Sequence, residues 1–287
     1  MSKSCLVSKL KHLTQKLSSY LGSHAQAEQE IRWLLEYITA KRAPFKALSE
    51  QTLATLAQLL TDRIERHKPL QYIIGSVPFL DMTLTVRPPT LIPRPETEEI
   101  VERLITSLAH MKHRSLSFLD MCTGSGCIAL ALAQAFPDST VIGVDICHKA
   151  LALARENAAN VGLTNVSFIH SNLFEKLSGK TFDLIISNPP YLAPQEWSDL
   201  DQGVTNWEDK QALVAQKNDG LFFYHAITEQ AVHFLKSSDL PCNLIFEIGH
   251  TQKKAVSDIL ALHSFKDITA HNDLSNKSRC VSGRLLL

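Results

Sequence analysis

Leucines and isoleucines at the start of the chain recur at helical steps. Leu6, Leu10, Leu13 and Leu17 form one series, Ile31, Leu34, Leu35 and Ile38 a second, and Leu53, Leu56 and Leu60 a third. Steps of three and four place each series on one face of a helix. Ser49 stands where the third helix needs an N-cap. Residues 1–68 therefore read as a small helical domain, with the apolar stripes as its core. After Pro69 the period drops to two. Met82, Leu84 and Val86 alternate with polar residues, as a half-buried strand does. Tyr72, Ile74 and Phe79, around Gly75, read as its hairpin partner, so residues 69–96 are expected to form a β-hairpin connector. Pro95 suits the first turn of a following helix, and Glu96, Glu98 and Glu99 suit its positive end.

From Ser117 onward strands and helices alternate. The strand-like runs are SFLDMC, TVIGVD, VSFIHS, FDLIISN and NLIFEIG, and patterns such as IALALAQAF and HKALALARENAANVG intervene. This alternation predicts an α/β domain over residues 97–287, with a mostly parallel sheet and helices on both faces. Two late runs, FKDITAHND and RCVSGRLLL, have no helix between them and read as an antiparallel pair on one edge.

Composition adds mainly exclusions. The 29 Lys and Arg balance the 29 Asp and Glu, so no global charge draws the chain to duplex nucleic acid or an anionic membrane. The six Cys include no Cys-x-x-Cys pair, and no His lies at zinc-finger spacing, so neither a disulfide framework nor a metal is expected. Free thiols suit a reducing cytosol. No apolar run approaches the ~20 residues of a membrane span, and the N-terminus lacks the apolar core of a signal peptide. A cytoplasmic protein without membrane contact is the expectation.

Two segments carry chemistry. FLDMCTGSGCIALALA places a strand, a turn with Gly124 and Gly126, and a helix in succession. The glycines permit a sharp turn and close approach of a ligand. Asp145 follows 19 residues beyond Gly126, at the tip of the next strand, where a carboxylate can accept hydrogen bonds from both ribose hydroxyls of an adenosine. A plain strand–helix turn with a surface Asp would look similar. Two ligands compete for such a turn. A dinucleotide would set its pyrophosphate on the helix N-terminus, whereas S-adenosylmethionine has no pyrophosphate and would lay its methionine end there.

The second segment, Ser187-Asn-Pro-Pro-Tyr191, follows the fourth strand of the α/β unit. Pro189 and Pro190 lack N–H donors and fix φ, and Asn188, preceding a proline, is pushed to an extended conformation. Backbone carbonyls freed from a ladder can face a ligand, Asn188 adds a side-chain acceptor, and Tyr191 adds a flat wall. Such a slot suits a planar NH2 on a conjugated system. Two acceptors orient that nitrogen toward a donor carbon and stabilise the charge developing on it. This favours methyl transfer from a sulfonium to nitrogen over a merely rigid surface turn.

With these residues in hand, the chain resembles amino-group methyltransferases that use S-adenosylmethionine. More narrowly, it resembles the HemK/PrmC family, which methylates the glutamine side-chain nitrogen (N5) of peptide chain release factors in support of translation termination. The resemblance runs nearly end to end, through PLQYIIG, TLIPRPETE, TGSG, VD, SNPPY, DGLFFYHAI and FEIGHTQ. It implies the class I S-adenosylmethionine-dependent methyltransferase fold, a Rossmann-like sheet with an antiparallel edge, plus an N-terminal helical bundle that recognises the release factor. It also implies that Cys122, Thr123, Gly124, Ser125 and Gly126 cradle the methionine end, that Asp145 holds the ribose, that Asn172 and Leu173 border the adenine, and that Asn188 also touches the cofactor. Asn188 and the Pro189 carbonyl would bind the substrate amide, Pro190 and Tyr191 would shape its slot, and the target is the Gln of a Gly-Gly-Gln loop.

The chain departs from the family at three places. Cys122 replaces a Gly, Asn172 stands where Asp is usual, and Asp209 replaces the Pro of a Glu-Pro pair in WEDKQAL. These put cofactor affinity and loop shape in question and leave the reaction type untouched. Arg94 either contacts substrate or pairs with Glu96 or Glu98. Glu247 reads as a structural acceptor, and Arg63, Arg66 and Lys68 as a solvated helix face. Three other functions compete. An N6-adenine methyltransferase would also suit Asn-Pro-Pro-Tyr, but the neutral charge and the lack of a basic target domain stand against it. A nicotinamide-dependent oxidoreductase or a non-catalytic cofactor-binding module would leave SNPPY without a role.

Overall fold

The computed structural model describes residues 3–40, 48–216, 219–237 and 239–286, and the chain divides into two compact units. The first comprises Met1–Gly75 with Asp201–Trp207, the second Ser76–Leu200 with Glu208–Leu287. The part of the expected bundle at 41–47, and Leu287 at the end of the last expected strand, lie outside the described residues.

In the first unit α1 (Lys3–Leu21), α2 (His24–Thr39) and α3 (Glu50–Glu65) pack around Leu17, Ile31, Leu34, Leu35 and Leu56. The expected stripes thus supply the core, with Leu6, Leu10, Leu13 and Ile38 partly buried against it. Ser23 and Ser49 cap α2 and α3 by accepting from the N–H of Gln26 and Thr52, each cap contributing about 1 kcal/mol. Arg63 is not a solvated cation. Its guanidinium donates twice to the Glu30 carboxylate, at 2.9 and 3.1 Å, and both side chains are largely buried. Residues 70–74 also depart from expectation. Leu70–Ile74 is a short helix, α4, that starts after Pro69 and stops at Gly75, where φ is 81° and the N–H bonds back to Gln71 O. Tyr72 and Ile74 therefore belong to a helical turn, because Leu70 and Ile73 are buried at a step of three. The segment 201–207 carries α8 (Gln202–Thr205), and Trp207 donates its indole N–H to Arg66 O at 2.8 Å. This return to the first unit was not foreseen.

The second unit opens with the hairpin of β1 (Ser76–Phe79) and β2 (Met82–Thr85), in which Val77 faces Leu84. α5 (Pro95–Ser107) follows, with Pro95 in its first turn as expected. β3 (Ser117–Met121), β4 (Thr140–Asp145), β5 (Val166–His170), β6 (Leu184–Ser187) and β7 (Leu244–Glu247) pair in parallel. β8 (Lys266–Asn272) and β9 (Ser278–Arg284) complete the sheet antiparallel, in the order β5-β4-β3-β6-β7-β9-β8. α6 (Cys127–Ala135), α7 (His148–Val161), α9 (Lys210–Leu213), α10 (Phe222–Ala231) and α11 (Lys253–Leu262) connect the strands. Successive residues of β3 face opposite layers, Phe118 toward the core with Leu132 and Phe136, Leu119 toward the core with Tyr224 and Phe246. Burial on both faces explains why these strands are nearly continuous apolar runs. β4 and β6 flank β3, so the connections after β3 diverge to opposite sides. Ligands bind at such a crevice, beyond the carboxyl ends of the strands. Among the described residues, no helix is long and apolar enough to cross a membrane.

Candidate active site

The glycine-rich turn is built mostly from its own neighbourhood. Cys122, Gly124 and Gly126 all have left-handed φ, at 65°, 55° and 84°. Gly is the natural residue for that geometry, and a Cβ there costs roughly 1–2 kcal/mol, so Cys122 holds a position that suits glycine. Its thiol bonds to Ser187 on β6, and burial pushes the thiol well above its ordinary value, so it stays protonated. The two glycines serve different ends. A Cβ on Gly124 would meet nothing within 4 Å, so the turn needs glycine there for conformation. A Cβ on Gly126 would come within 3.0 Å of Ala154 Cβ and 3.2 Å of the Phe168 ring, so Gly126 lets α6 approach its neighbours.

Asp120, in the middle of β3, was missed by sequence reasoning. It is fully buried, and its Oδ2 accepts from Thr123 Oγ1 at 2.5 Å and from the Ala129 N–H at 3.0 Å. Burial pushes its carboxyl up to about 7. An acidic residue within an otherwise apolar strand run was the available clue. The consequence is chemical. Asp120 occupies an N-terminal N–H of α6, at the helix end where a pyrophosphate would bind.

Asp145 closes the turn from the other side. Its Oδ2 accepts from Gly124 N at 2.9 Å and its Oδ1 from Cys147 N at 2.8 Å. Burial raises its pKa, opposed by these backbone hydrogen bonds. A carboxylate has about four lone-pair sites, and with the Ile146 N–H as a third backbone donor the group keeps capacity for about one further donor.

Turn and strand tips surround a cavity of about 360 Å³. Of the residues named from sequence, Cys122, Gly124, Asp145, Asn172, Leu173, Asn188 and Pro190 line it. Thr123 and Ser125 are buried beneath the turn, while Gly126, Pro189, Tyr191 and Arg94 are not on the wall. Thr90, Leu91, Ile146 and Phe223 join it from the chain at large. Ile146 directly follows Asp145 and is 59 % exposed, an apolar surface suited to a flat base. Asp145 and Asp209 are on the wall, and among the described lining residues there is no Lys, Arg or His. An acidic wall with a capped helix end disfavours a pyrophosphate and fits the cationic methionine end of S-adenosylmethionine.

The SNPPY segment depends on distant parts of the chain. Ser187 Oγ donates to Met121 O at 2.6 Å, which ties β6 to β3 beside the turn. Asn188 Nδ2 donates to Thr97 Oγ1 at 3.3 Å, and Thr97 Oγ1 donates to Glu247 Oε2 at 2.6 Å. Gln252 Nε2 donates to Tyr191 O at 2.9 Å, while Gln252 Oε1 accepts from Gly249 N and from the Tyr224 hydroxyl. Gly220 must lack a side chain, since a Cβ would stand 2.3 Å from Tyr191 O. Burial pushes the Tyr191 phenol up to about 12, so it stays neutral. Thr97, Gly220, Tyr224 and Gln252 were not singled out from sequence, although they lie in the quoted TLIPRPETE, DGLFFYHAI and FEIGHTQ.

Arg94 pairs with neither Glu96 nor Glu98. Its Nη2 donates to Glu208 Oε2 at 2.6 Å. Glu96 instead faces Arg279 at 3.6 Å, and Glu98 accepts from Leu80 N. The pair ties the IPRPE loop to the WEDKQAL stretch. Asp209 repairs its own departure from the family. It caps α9 by accepting from Gln211 N, and its own N–H donates to Pro89 O at 2.8 Å, a bond that a proline could not make. Asn172 stays on the cavity wall and donates to Glu175 Oε1 at 2.7 Å.

A mostly parallel sheet with a glycine-rich turn after β3 and an Asn-Pro-Pro-Tyr segment after β6 is the arrangement of a methyltransferase domain. The Methyltransferase small domain family model matches residues 100–204. The fold is shared with the Thermus thermophilus 16S rRNA N2 G1207 methyltransferase, solved in complex with AdoMet and guanosine. The TM-score is 0.52 at 16% identity, covering 73% of this chain and 50% of that one. Closer relatives narrow the class. The chain is 40% identical over 237 residues to the release factor glutamine methyltransferase of Lactococcus lactis, covering 82% of this chain and 84% of that protein. It is 35% identical over 278 residues to the Salmonella typhimurium protein of the same name, covering 95% and 98%. The chain belongs to the release factor glutamine methyltransferase family.

Proposed function

We propose that this chain transfers a methyl group from S-adenosylmethionine to the side-chain amide nitrogen of the glutamine in a Gly-Gly-Gln loop of a peptide chain release factor, in the cytoplasm. The observation that carries this reading is that Asn188 and Pro190 share one cavity wall with Asp145 and the Cys122–Gly124 turn. An acceptor slot and a cofactor cradle thus open into the same space. The names of the relatives support the substrate.

The turn from Cys122 to Gly126 would hold the methionine end, Asp145 the ribose hydroxyls, and Ile146, Asn172 and Leu173 the adenine. When bound, S-adenosylmethionine supplies an electrophilic methyl carbon on a positively charged sulfur. The protein's part is positioning. An amide nitrogen is a poor nucleophile because its lone pair is delocalised. The Asn188 side-chain carbonyl would accept from the substrate NH2 and aim it, with the Pro189 backbone carbonyl, whose residue lies off the cavity lining, as the second acceptor. As positive charge builds on nitrogen, the same acceptors stabilise it. No strong base is needed before attack, and Tyr191, kept neutral by burial, would back the slot from outside the cavity lining.

Release factor recognition falls to the helical domain of residues 1–68. Trp33 and Tyr37 support this, lying one turn apart on α2 and 46 % and 50 % exposed. Exposed aromatics are typical of interface anchors. Replacing both with Ala is expected to raise KM for a release factor while leaving kcat, and turnover of a short Gly-Gly-Gln peptide, unchanged. The main test uses methyl-labelled S-adenosylmethionine with a release factor, its Gln→Ala variant, or DNA. Label is expected on the first alone. Label on DNA, or equal label on both protein forms, would overturn the reading.

A further inference from the structure

We infer that Thr97 and Glu247 are positioning residues that decide which end of the Asn188 amide faces the substrate, an inference that rests on the amide-nitrogen reading above. The two ends of an Asn side chain are nearly the same size, so shape alone does not choose between them. Only one end serves the reaction. A carbonyl turned to the cavity accepts from the substrate NH2, whereas an NH2 turned there repels it.

The choice follows from the count of hydrogens. Thr97 Oγ1 has one hydrogen, which goes to Glu247 Oε2 at 2.6 Å. An ionised carboxylate can only accept, so that hydrogen is committed. The Thr97 oxygen is left with lone pairs alone and selects the Asn188 NH2, at 3.3 Å. The Asn188 carbonyl is thereby left for the cavity that Asn188 lines. A buried carboxylate is costly to maintain, and this ordering gives Glu247, 6 % exposed, a purpose.

The relay also has a second state. A protonated Glu247 can donate to Thr97, whose hydrogen then turns toward Asn188 and draws the carbonyl away from the substrate. The groups acting on Glu247 come from several elements. Glu96 and Thr97 lie on α5, Asn188 and Tyr191 follow β6, Arg279 and Cys280 lie on β9, Tyr224 on α10 and Cys127 on α6. Burial is the largest influence, reinforced by Glu96 and opposed by Thr97, Arg279 and Asn188, and Glu247 is pushed up to about 7. The ionised, productive state is therefore lost as pH falls through about 7.

The test compares Glu247→Gln, Thr97→Val and Thr97→Ser with the full-length wild type, using a release factor substrate between about pH 6 and 9. A Gln at 247 can either accept from Thr97 or donate to it, so it no longer commits the Thr97 hydrogen and the order at Asn188 is lost. Glu247→Gln and Thr97→Val are each expected to lower kcat by about 10- to 100-fold, as a misplaced acceptor would. KM and the affinity for S-adenosylmethionine, measured by calorimetry, should stay within about twofold. Thr97→Ser, which keeps the hydroxyl, should stay within about threefold of wild type. The wild-type rate should rise through about pH 7, and Glu247→Gln should lose that limb. Equal rates for Thr97→Ser and Thr97→Val, or a wild-type rate and pH profile in Glu247→Gln, would overturn the inference. If Thr97→Val fails to fold, the Glu247→Gln profile decides. Failure of the wild type to methylate the glutamine would overturn the amide reading itself, whereas wild-type transfer with unaffected variants would overturn only the relay.

Discussion

The turns after β3 and β6 lie side by side, since their strands are paired, yet they are held in opposite ways. The cofactor turn is held mainly by Asp120, Thr123, Ala129 and Asp145, which belong to the turn, its own strand and helix, and the next strand. The SNPPY turn is held by Thr97, Gly220, Glu247 and Gln252, brought in from well before and well after it. On the proposed function, binding is thus organised locally and chemistry by convergence. The glycine-rich turn can form from one strand–turn–helix unit with its neighbour, whereas the SNPPY turn needs most of the α/β unit in place.

The sharpest way to break that comparison is to remove one key side chain at each turn. Asn188→Ala is expected to lower the single-turnover rate by at least about 100-fold, with cofactor affinity within about twofold of wild type. Asp145→Ala is expected to do the reverse, weakening the cofactor by about 10- to 100-fold through the loss of two charged acceptors. Stopped-flow transfer and calorimetry on the same preparations check both. If Asn188→Ala weakens the cofactor as much as Asp145→Ala, the division of labour fails.

A smaller effect belongs to the distant support. Gly220 has a φ of 71°, and a Cβ there meets Tyr191 O at 2.3 Å. Gly220→Ala is expected to cost about 1–3 kcal/mol of stability and to slow transfer by about 10-fold, with cofactor binding near wild type. Urea unfolding and the same kinetic assay measure the two changes. Unchanged kinetics would show that the slot does not depend on this packing.

Asp120 sharpens the comparison through pH. Burial raises its folded pKa from an ordinary 3.8 to about 7. Its contribution to stability is therefore fully present below the unfolded value and is lost as pH rises through about 7. Glu247 acts with the same sign, being raised from 4.5 to about 7. The melting temperature should fall between about pH 5 and 8, and Asp120→Asn should flatten that fall. An equally steep fall in the variant would remove Asp120 from the cause. The smallest effect is at Cys122, where relief of the left-handed φ in Cys122→Gly should gain at most about 1 kcal/mol, because Gly also loosens the unfolded chain. Denaturant midpoints measure it, and a clear loss would mean that the thiol–Ser187 bond outweighs the strain.

The same contrast explains what the sequence made legible. The α/β alternation, the antiparallel edge, the Pro95 helix start and the cavity positions of Asp145 and Asn188 could all be read from short windows of chain. Asp120 was within reach, because an acid in an apolar strand is a local clue. The partners of Asn188 and Arg94 were not, because Thr97, Glu247 and Glu208 meet them only once the sheet has assembled. The helix at Leu70–Ile74 was misjudged as a strand because five apolar-rich residues between Pro and Gly carry too little periodicity to separate period two from 3.6.

The most direct measurement is the site and chemistry of the mark. A release factor treated with the wild-type protein and S-adenosylmethionine would be digested and its Gly-Gly-Gln peptide fragmented in a mass spectrometer. The result expected is one added methyl group on the glutamine side-chain nitrogen, released as methylamine on acid hydrolysis. A methyl group on any other residue, or one released as methanol from an ester, would contradict amide-nitrogen transfer.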